Sequence, residues 1–279
     1  RLPRVLVAGL VGFGLAVSGA AMQGLFRNPL ASPGVTGVSS GASVGAAIAI
    51  FFQAQFVHPW LVPLSAFAGA FASLALVYGL STRGGRTDVS TLLLAGLAVG
   101  AFFSAIISAL YHFVPDGVLR QIVYWLMGNF SGMRWDHAAA MAPFILLGSA
   151  GLLAFARDLN AFALGEDEAS SMGVDVEAVK RWVLLLVALV TGASISVSGM
   201  IGFVGLIVPH AMRFLVGPDH RRLIPASGLG GASFLILCDL ISRTLFSPIE
   251  LRPGIVTSLF GVPFFVSLLL KHRQRVGWN

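Results

Sequence analysis

The chain has 279 residues, of which 56% are hydrophobic and 11% are charged. Soluble globular proteins carry roughly 25% charged residues, so this composition excludes an ordinary water-soluble domain and favours a protein embedded in lipid. The formal net charge is +6, but the basic residues lie at the ends of apolar segments, as in the loops of membrane proteins, and form no continuous face for nucleic acid.

Long apolar segments predict nine membrane-spanning helices. A bilayer core about 30 Å thick is crossed by about 20 apolar residues in a helix. Residues 28–82 contain no Asp, Glu, Lys or Arg and are long enough for two such helices. The sequence therefore predicts an all-α polytopic membrane protein, with a single transmembrane domain over residues 1–279. The predicted helices are 4–25, 35–56, 60–81, 89–112, 137–156, 180–199, 201–217, 223–247 and 254–271.

The distribution of lysine and arginine predicts which helix ends face the cytoplasm. Twelve of the 18 Lys and Arg residues lie on the same side as the C-terminal Lys271, Arg273 and Arg275, and six lie on the other side. Basic loops stay in the cytoplasm, so the C-terminus is expected inside. Nine helices then place Arg1 outside, and we expect one further helix before Arg1, because the sequence does not begin with Met.

Two pairs of short segments suggest an internal repeat. Residues 15–24 resemble residues 195–205, and residues 37–47 resemble residues 227–235. The copies would be five helices apart, and an odd offset inverts the second copy, as in many transporters. Chance similarity in a chain rich in glycine and alanine is the alternative, and both interpretations stay open.

Three glycines recur every four residues near the start of the second predicted helix. Gly37, Gly41 and Gly45 would share one helix face and let a neighbouring helix approach closely. We therefore expect a tightly packed bundle of helices.

The most charged stretch of the chain is a predicted cytoplasmic loop over residues 157–181. Three acidic residues follow Gly165 there, as they would in the first turn of a short helix, and Gly173 would end that helix. The helix is either a solvated loop helix or a segment docked in a partner's groove. Its anchors in the second case would be Leu164, Ala169 and Met172.

Ionisable residues inside membrane helices are costly and often functional. Asp239 and Arg243 are four residues apart on a predicted helix, so we expect them to pair. His210 follows Pro209, and it either bonds backbone groups that the proline frees or acts as a ligand or proton carrier.

The sequence lacks the motifs of catalysis. It contains no G-x-x-x-x-G-K-[ST] loop for ATP, no HExxH, no nucleophile elbow and no Cys/His cluster. We therefore expect no enzymatic activity, no metal site and no cofactor in this chain.

Several stretches spread over almost the whole chain resemble one family, the permease subunits of ABC importers for iron-siderophore, haem and cobalamin. These stretches are RLPR (1–4), SGAAMQGLFRNPLASPGVTGVSSGA (18–42), LLLAGLAVG (92–100), LGEDEASSMG (164–173), GFVGLIVPHAMR (202–213), DHRRLIPASGLGGA (219–232) and ELRPGIVTSLFGVPFF (250–265). The resemblance implies ten helices and a bacterial inner-membrane location. It also implies a second permease copy as partner, two cytoplasmic ATPase subunits that bind the ATP, and a periplasmic binding protein.

The resemblance also implies roles for individual residues. The coupling helix that contacts the ATPase would include Leu164, Gly165, Glu166, Ala169 and Gly173. Basic groups that dock the binding protein would be Arg1, Arg4 and Arg243. The cytoplasmic gate would include Ser90 and Thr91.

The expected cargo is haem, ahead of a ferric siderophore, with cobalamin as the alternative, and the expected assembly is a homodimer of permeases in membrane lipid. Two functions of other classes remain in view. An ion-coupled secondary transporter would need a network of carboxylates inside the membrane, and a structural or receptor-like membrane protein would need no ATPase partner.

Overall fold

A computed structural model describes residues 1–276 of the chain. The side chains of Lys271, Arg273 and Arg275, which the sequence places on the cytoplasmic side, lie outside the described residues. Except for one short hairpin, the regular structure is helical. The helices are α1 (Leu2–Leu25), α2 (Val38–Phe51), α3 (Leu61–Ser81), α4 (Val89–Tyr111), α5 (Asp116–Leu126), α6 (Trp135–Ala154), α7 (Ala156–Phe162), α8 (Glu166–Ser171), α9 (Val176–Ser198), α10 (Val204–Val216), α11 (His220–Thr244) and α12 (Pro253–Val276).

Each of the nine predicted segments coincides with a helix. In the part of the chain that the structure describes, six helices are long and apolar enough to cross a membrane by length and composition: α1, α3, α4, α6, α9 and α11. Three shorter apolar helices are α2, α10 and the Pro253–Ser267 part of α12. The chain is thus a multi-pass membrane protein, and the count of nine crossings stays a prediction. The helix α5 has 11 residues and a length of about 16 Å, too short to cross.

Helix α1 lies at the centre of the bundle, against α6, α9, α10 and α11. Most of its residues are buried, including polar Ser18 and Gln23. Glycines allow these close approaches, since a Cβ on Gly12 would meet the backbone carbonyl of Gly231, and one on Gly19 that of Gly205. The hydrophobic core is therefore built around the first helix rather than between two layers.

The predicted glycine face is confirmed for two of its three members. Gly41 and Gly45 lie in α2 against the backbone carbonyls of Gly69 and Ser65 in α3. Gly37 is not part of that helical face, because it is the N-cap of α2 with φ +76°. It still meets α3, since the Ser73 hydroxyl donates a hydrogen bond to the Gly37 carbonyl at 2.7 Å.

Candidate coupling, gate and docking sites

The acidic loop forms the short helix that the sequence predicts. Helix α8 follows the N-cap Gly165, and its first turn holds Glu166, Asp167 and Glu168. Gly173 follows the helix with φ +85°, and the Gly173 amide donates to the Ser170 carbonyl at 2.9 Å. A residue without a side chain is favoured at such a φ, which explains where the helix ends.

The two faces of this helix differ in burial. Leu164 and Met172, which flank α8 at its two ends, are apolar side chains that are 65% and 64% exposed. Ala169, in contrast, is fully buried and packs against the chain's own core, and Gly165 is buried as well. Of the three anchors that the sequence predicts, only Leu164 and Met172 are therefore exposed.

A buried lysine joins α8 to two other segments. The Lys180 ammonium donates to Glu166 Oε2 at 2.6 Å, to Glu177 Oε1 at 3.0 Å and to the Thr87 carbonyl at 2.7 Å. Its side chain is 3% exposed, whereas those of Glu166 and Glu177 are about one-third exposed. The sequence analysis did not single out Lys180, although the three-residue spacing from Glu177 on a helix indicates a local pair.

Thr87 belongs to a hairpin that the sequence analysis also missed. Strands β1 (Thr82–Arg83) and β2 (Arg86–Thr87) pair through the turn Gly84-Gly85. Both turn glycines have positive φ, +60° and +77°, which a type I′ hairpin turn requires. The Gly-Gly pair between residues rich in Thr and Arg was the available signal. The Thr82 and Thr87 hydroxyls lie 2.9 Å apart and close the hairpin.

The predicted gate residues follow this hairpin directly. Asp88 is the N-cap of α4, and its carboxylate accepts a hydrogen bond from the Thr91 amide at 2.6 Å. Hydrogen bonds from Thr91 hold the pKa of Asp88 below its usual range. Ser90 and Thr91 are exposed in the first turn of α4. They are thus accessible to a neighbouring molecule and fixed by a capped helix start.

Helix α7, which leads into α8, is fastened to the start of α11. The Asn160 side-chain amide donates to Asp219 at 2.6 Å, and its oxygen accepts from the His220 amide at 2.9 Å and from the ring nitrogen Nδ1 at 2.8 Å. A backbone hydrogen bond from Arg221, and then the bond from Asn160, lower the pKa of Asp219. The segment before α8 is therefore held to the bundle.

Arg4, one of the three predicted docking arginines, is bound within the chain. Its guanidinium donates to Asp239 at 2.8, 3.0 and 3.1 Å and to Glu250 Oε2 at 3.0 Å. The Ser131 hydroxyl also donates to Glu250, at 2.9 Å. Hydrogen bonds from Arg4 and then Ser131 lower the pKa of Glu250.

The other two arginines predicted to dock a partner, Arg1 and Arg243, are more accessible than Arg4. Arg243 lies 3.7 Å from Asp239, too far for a hydrogen bond, so the predicted pair is present but the main partner of Asp239 is Arg4. The Arg243 side chain is 25% exposed, and Arg1 is exposed. The structure thus leaves Arg1 and, in part, Arg243 available to a partner.

An apolar cleft of about 670 Å³ runs along the N-terminal half of α12. It is lined by Leu126, Met127, Met200, Gly202, Phe203, Gly254, Ile255, Ser258, Leu259, Val262 and Pro263. A smaller cleft of about 320 Å³ shares Leu126 and Met200 with it and continues to α4. Its lining adds the hydroxyl groups of Ser40, Ser43, Ser104, Ser108 and Tyr111. The two clefts therefore adjoin at Leu126 and Met200, with α12 on one side and α4 on the other.

His210 does not bond the backbone that Pro209 frees, so the first of the two sequence interpretations is wrong. Both ring nitrogens are buried without a hydrogen-bond partner among the described residues. The ring packs edge-on against Phe214 and Phe264, with centroids 5.1 and 5.9 Å away.

Among the residues that the structure describes, no group of three or more His, Cys, Asp or Glu side chains gathers as a metal site would.

The chain is similar to one protein family, to named relatives and to a solved structure. The model of the FecCD transport family matches residues 1–271. The cobalamin import system permease of Halobacterium salinarum is 47% identical, over 99% of this chain and 73% of that protein. The hemin transport system permease of Yersinia pestis is 43% identical, over 99% of this chain and 83% of that protein. A solved chain described as an inward-facing metal-chelate type ABC transporter is 39% identical, with a TM-score of 0.90 over 97% of this chain and 86% of that one.

Proposed function

Since the chain belongs to the FecCD transport family of ABC importer permeases, we propose that it carries a metal chelate from the periplasm to the cytoplasm across the bacterial inner membrane. ATP would be hydrolysed on separate subunits, because the sequence has no P-loop. The observation that carries the proposal is the family match over residues 1–271, together with the exposed apolar ends of α8.

The proposed assembly contains two copies of this chain, two cytoplasmic ATPase subunits and a periplasmic binding protein. Helix α8 is the proposed coupling helix, with Leu164 and Met172 as the anchors that enter a groove of the ATPase. Glu166, one-third exposed, would lie at the edge of this contact with the ATPase. Gly165 and Gly173 bound the helix at its two ends. Ala169 would act indirectly, by seating the helix on the bundle.

Docking of the binding protein is proposed at the opposite end of the bundle. Exposed Arg1 and partly exposed Arg243 would meet acidic groups, and such pairs chiefly steer the encounter and fix its register. Arg4 would contribute by shaping this surface, because its guanidinium is already held by Asp239 and Glu250.

The proposed pathway follows the two adjoining clefts between α4 and α12, and the second copy of the chain would close their open side. The larger cleft is lined almost entirely by apolar side chains, with Met127 and Met200 among them. Such a surface suits the broad apolar faces of a macrocyclic metal chelate better than a highly charged complex. We therefore favour haem as cargo, with cobalamin as the alternative, and rank a ferric siderophore lower.

An ion-coupled secondary transporter is the alternative of another class. It would need carboxylates that change protonation along a membrane path. Asp239 is the acidic residue of α11, and its charge is compensated by Arg4 and Arg243. That pairing favours a structural role for Asp239 and gives the alternative little support.

The test is uptake by the reconstituted importer. The permease, its ATPase and its binding protein are placed in proteoliposomes, and accumulation of haem, cyanocobalamin and a ferric siderophore is measured with ATP and with a non-hydrolysable analogue. ATP-dependent accumulation of haem or cyanocobalamin is expected. Accumulation that proceeds equally without ATP, or failure of the permease to co-purify with the ATPase, would overturn the proposal.

A further inference from the structure

Lys180 uses all of its hydrogen-bonding capacity on three different segments. An ammonium group has three N–H donors and no acceptor. Its acceptors are Glu166 of α8, Glu177 in the first turn of α9 and the Thr87 carbonyl of the hairpin. Each of the three N–H groups therefore has one partner, and the lysine connects the coupling helix with the segment that precedes α4.

Burial makes this connection stiff. The Lys180 side chain is 3% exposed, so solvent has little access to replace a lost partner. Charges taken out of water are costly to leave unpaired, and removing one partner of a buried pair is strongly destabilising. The lysine, Glu166 and Glu177 are therefore expected to move together rather than exchange partners with water.

Thr87 is held at both of its backbone groups. Its amide donates to Glu177 Oε2 at 2.8 Å, and its carbonyl accepts from Lys180. The next residue is Asp88, the N-cap of α4, and the Asp88 amide donates to the Ser81 carbonyl at 3.2 Å. Any displacement of Lys180 thus reaches the first turn of α4, where Ser90 and Thr91 are exposed.

We propose that Lys180 is a positioning residue that fastens the ATPase-contacting helix α8 to the start of α4, so that movement of α8 is passed to the gate residues Ser90 and Thr91. The inference rests on the proposed function, since it takes α8 as the coupling helix. It adds a link that neither the sequence pattern nor the family match assigns. Lys180 acts through Thr87 and touches neither the cargo nor the ATPase.

The decisive variant is Lys180→Met in the complete importer. It removes the ammonium group and keeps much of the side-chain volume. Because Lys180 is buried, the ATPase should still co-purify with the permease and still hydrolyse ATP. The amount of haem or cyanocobalamin transported per ATP hydrolysed should fall about tenfold, within the range found for coupling between distant sites. A merely structural defect would lower transport and hydrolysis in parallel and leave that ratio unchanged.

Three further variants separate the link from general damage. Glu166→Gln weakens only the α8 connection, because the charged carboxylate becomes a neutral amide while Lys180 stays bound to Glu177 and Thr87. This variant is used if Lys180→Met does not assemble. Glu168→Gln makes the same charge change on the same helix, at an exposed residue with no side-chain hydrogen bond in the described structure, and should leave the ratio unchanged. Lys180→Arg keeps the positive charge and should restore most of the coupling.

The combination of Lys180→Met with Glu166→Gln tests whether the two residues act as one unit. Residues in one network give non-additive effects, so the double variant should transport no worse per ATP than the worse single variant. Independent, multiplying losses would overturn the proposal, and so would an unchanged ratio in both single variants.

Hydrogen exchange separates failure of this link from failure of the proposed function. Exchange of amides in residues 82–91 of the assembled complex should be faster in Lys180→Met than in the wild type, because Thr87 loses its anchor, and this needs no transported cargo. Unchanged exchange would overturn the link while the importer assignment stands. A wild-type complex that transports no chelate would overturn the proposed function. The hydrogen-exchange comparison would still decide whether Lys180 holds residues 82–91 in place.

Discussion

The guanidinium of Arg4 lies within hydrogen-bond distance of both carboxylate oxygens of Asp239, with its Nη2 2.8 Å from Oδ1. The two residues are 235 positions apart in the chain, one near the start of α1 and the other in α11. The Asp239 side chain is 2% exposed, so the pair compensates a carboxylate that water barely reaches. The contact locks the central helix to its main neighbour at one end of the bundle.

Replacing Arg4 should destabilise the protein through this carboxylate. Arg4→Met leaves Asp239 with only Arg243, at 3.7 Å. We expect the free energy of unfolding to fall by about 3 kcal/mol, near the lower end of the cost of breaking a buried ion pair, because Arg4 is partly exposed. Thermal unfolding in detergent measures the effect. Arg1→Met makes the same charge change at an exposed site and should leave the melting temperature unchanged. An equal melting temperature for both variants would contradict this role of Arg4.

The lowered pKa of Glu250 predicts a pH dependence of stability. Hydrogen bonds from Arg4 and Ser131 favour the charged form in the folded state. The folded pKa then lies below the unfolded value of about 4.3, so the stabilisation is present above that value and is lost as the pH falls through the folded pKa. The wild-type melting temperature should fall more steeply from about pH 5 to about pH 3 than that of Glu250→Gln. Parallel curves for the two proteins would show that Glu250 contributes nothing.

The close contact of α2 with α3 predicts a severe effect from one added methyl group. Gly41→Ala would place its Cβ against the Gly69 carbonyl, so the two backbones must separate. Overpacking of this kind costs about 1–3 kcal/mol, more than the gain in helix propensity. Gly79→Ala is the matched control, because nothing lies within 4 Å of its added Cβ. Melting temperatures in detergent compare the two, and a Gly41→Ala protein as stable as the control would argue against the tight contact.

Replacing the exposed Leu164 beside α8 should weaken association with the ATPase and leave the fold of the permease intact. Leu164→Glu puts a charge where an apolar anchor is proposed, and anchor residues of interfaces cost at least about tenfold in affinity when changed. Leu164 is 65% exposed, so the melting temperature of the permease alone should not change. Leu164→Met keeps the apolar character and should keep the association. Co-purification with the ATPase is the measurement, and retained binding by Leu164→Glu would exclude Leu164 as an anchor.

Local signals in the sequence were sufficient for the helices and for α8. Uncharged apolar stretches place a helix in each of the nine segments, because a long apolar run can satisfy its backbone in lipid only as a helix. Gly165 and Gly173 bound a short helix with acids in its first turn, since both features depend only on neighbouring residues. The Gly84-Gly85 pair is a local signal of the same kind, because its positive φ angles suit a tight hairpin turn.

The partners of the buried charges were decided by the tertiary structure alone. The i, i+4 spacing of Asp239 and Arg243 predicts a local pair, but packing of α1 on α11 brings Arg4 closer to the carboxylate. Lys180 likewise contacts Thr87, 93 positions away, because α9 and the hairpin meet only in the folded bundle. A charge buried among packed segments pairs with whichever opposite charge or carbonyl the fold brings within about 3 Å, and spacing along one helix cannot show that choice.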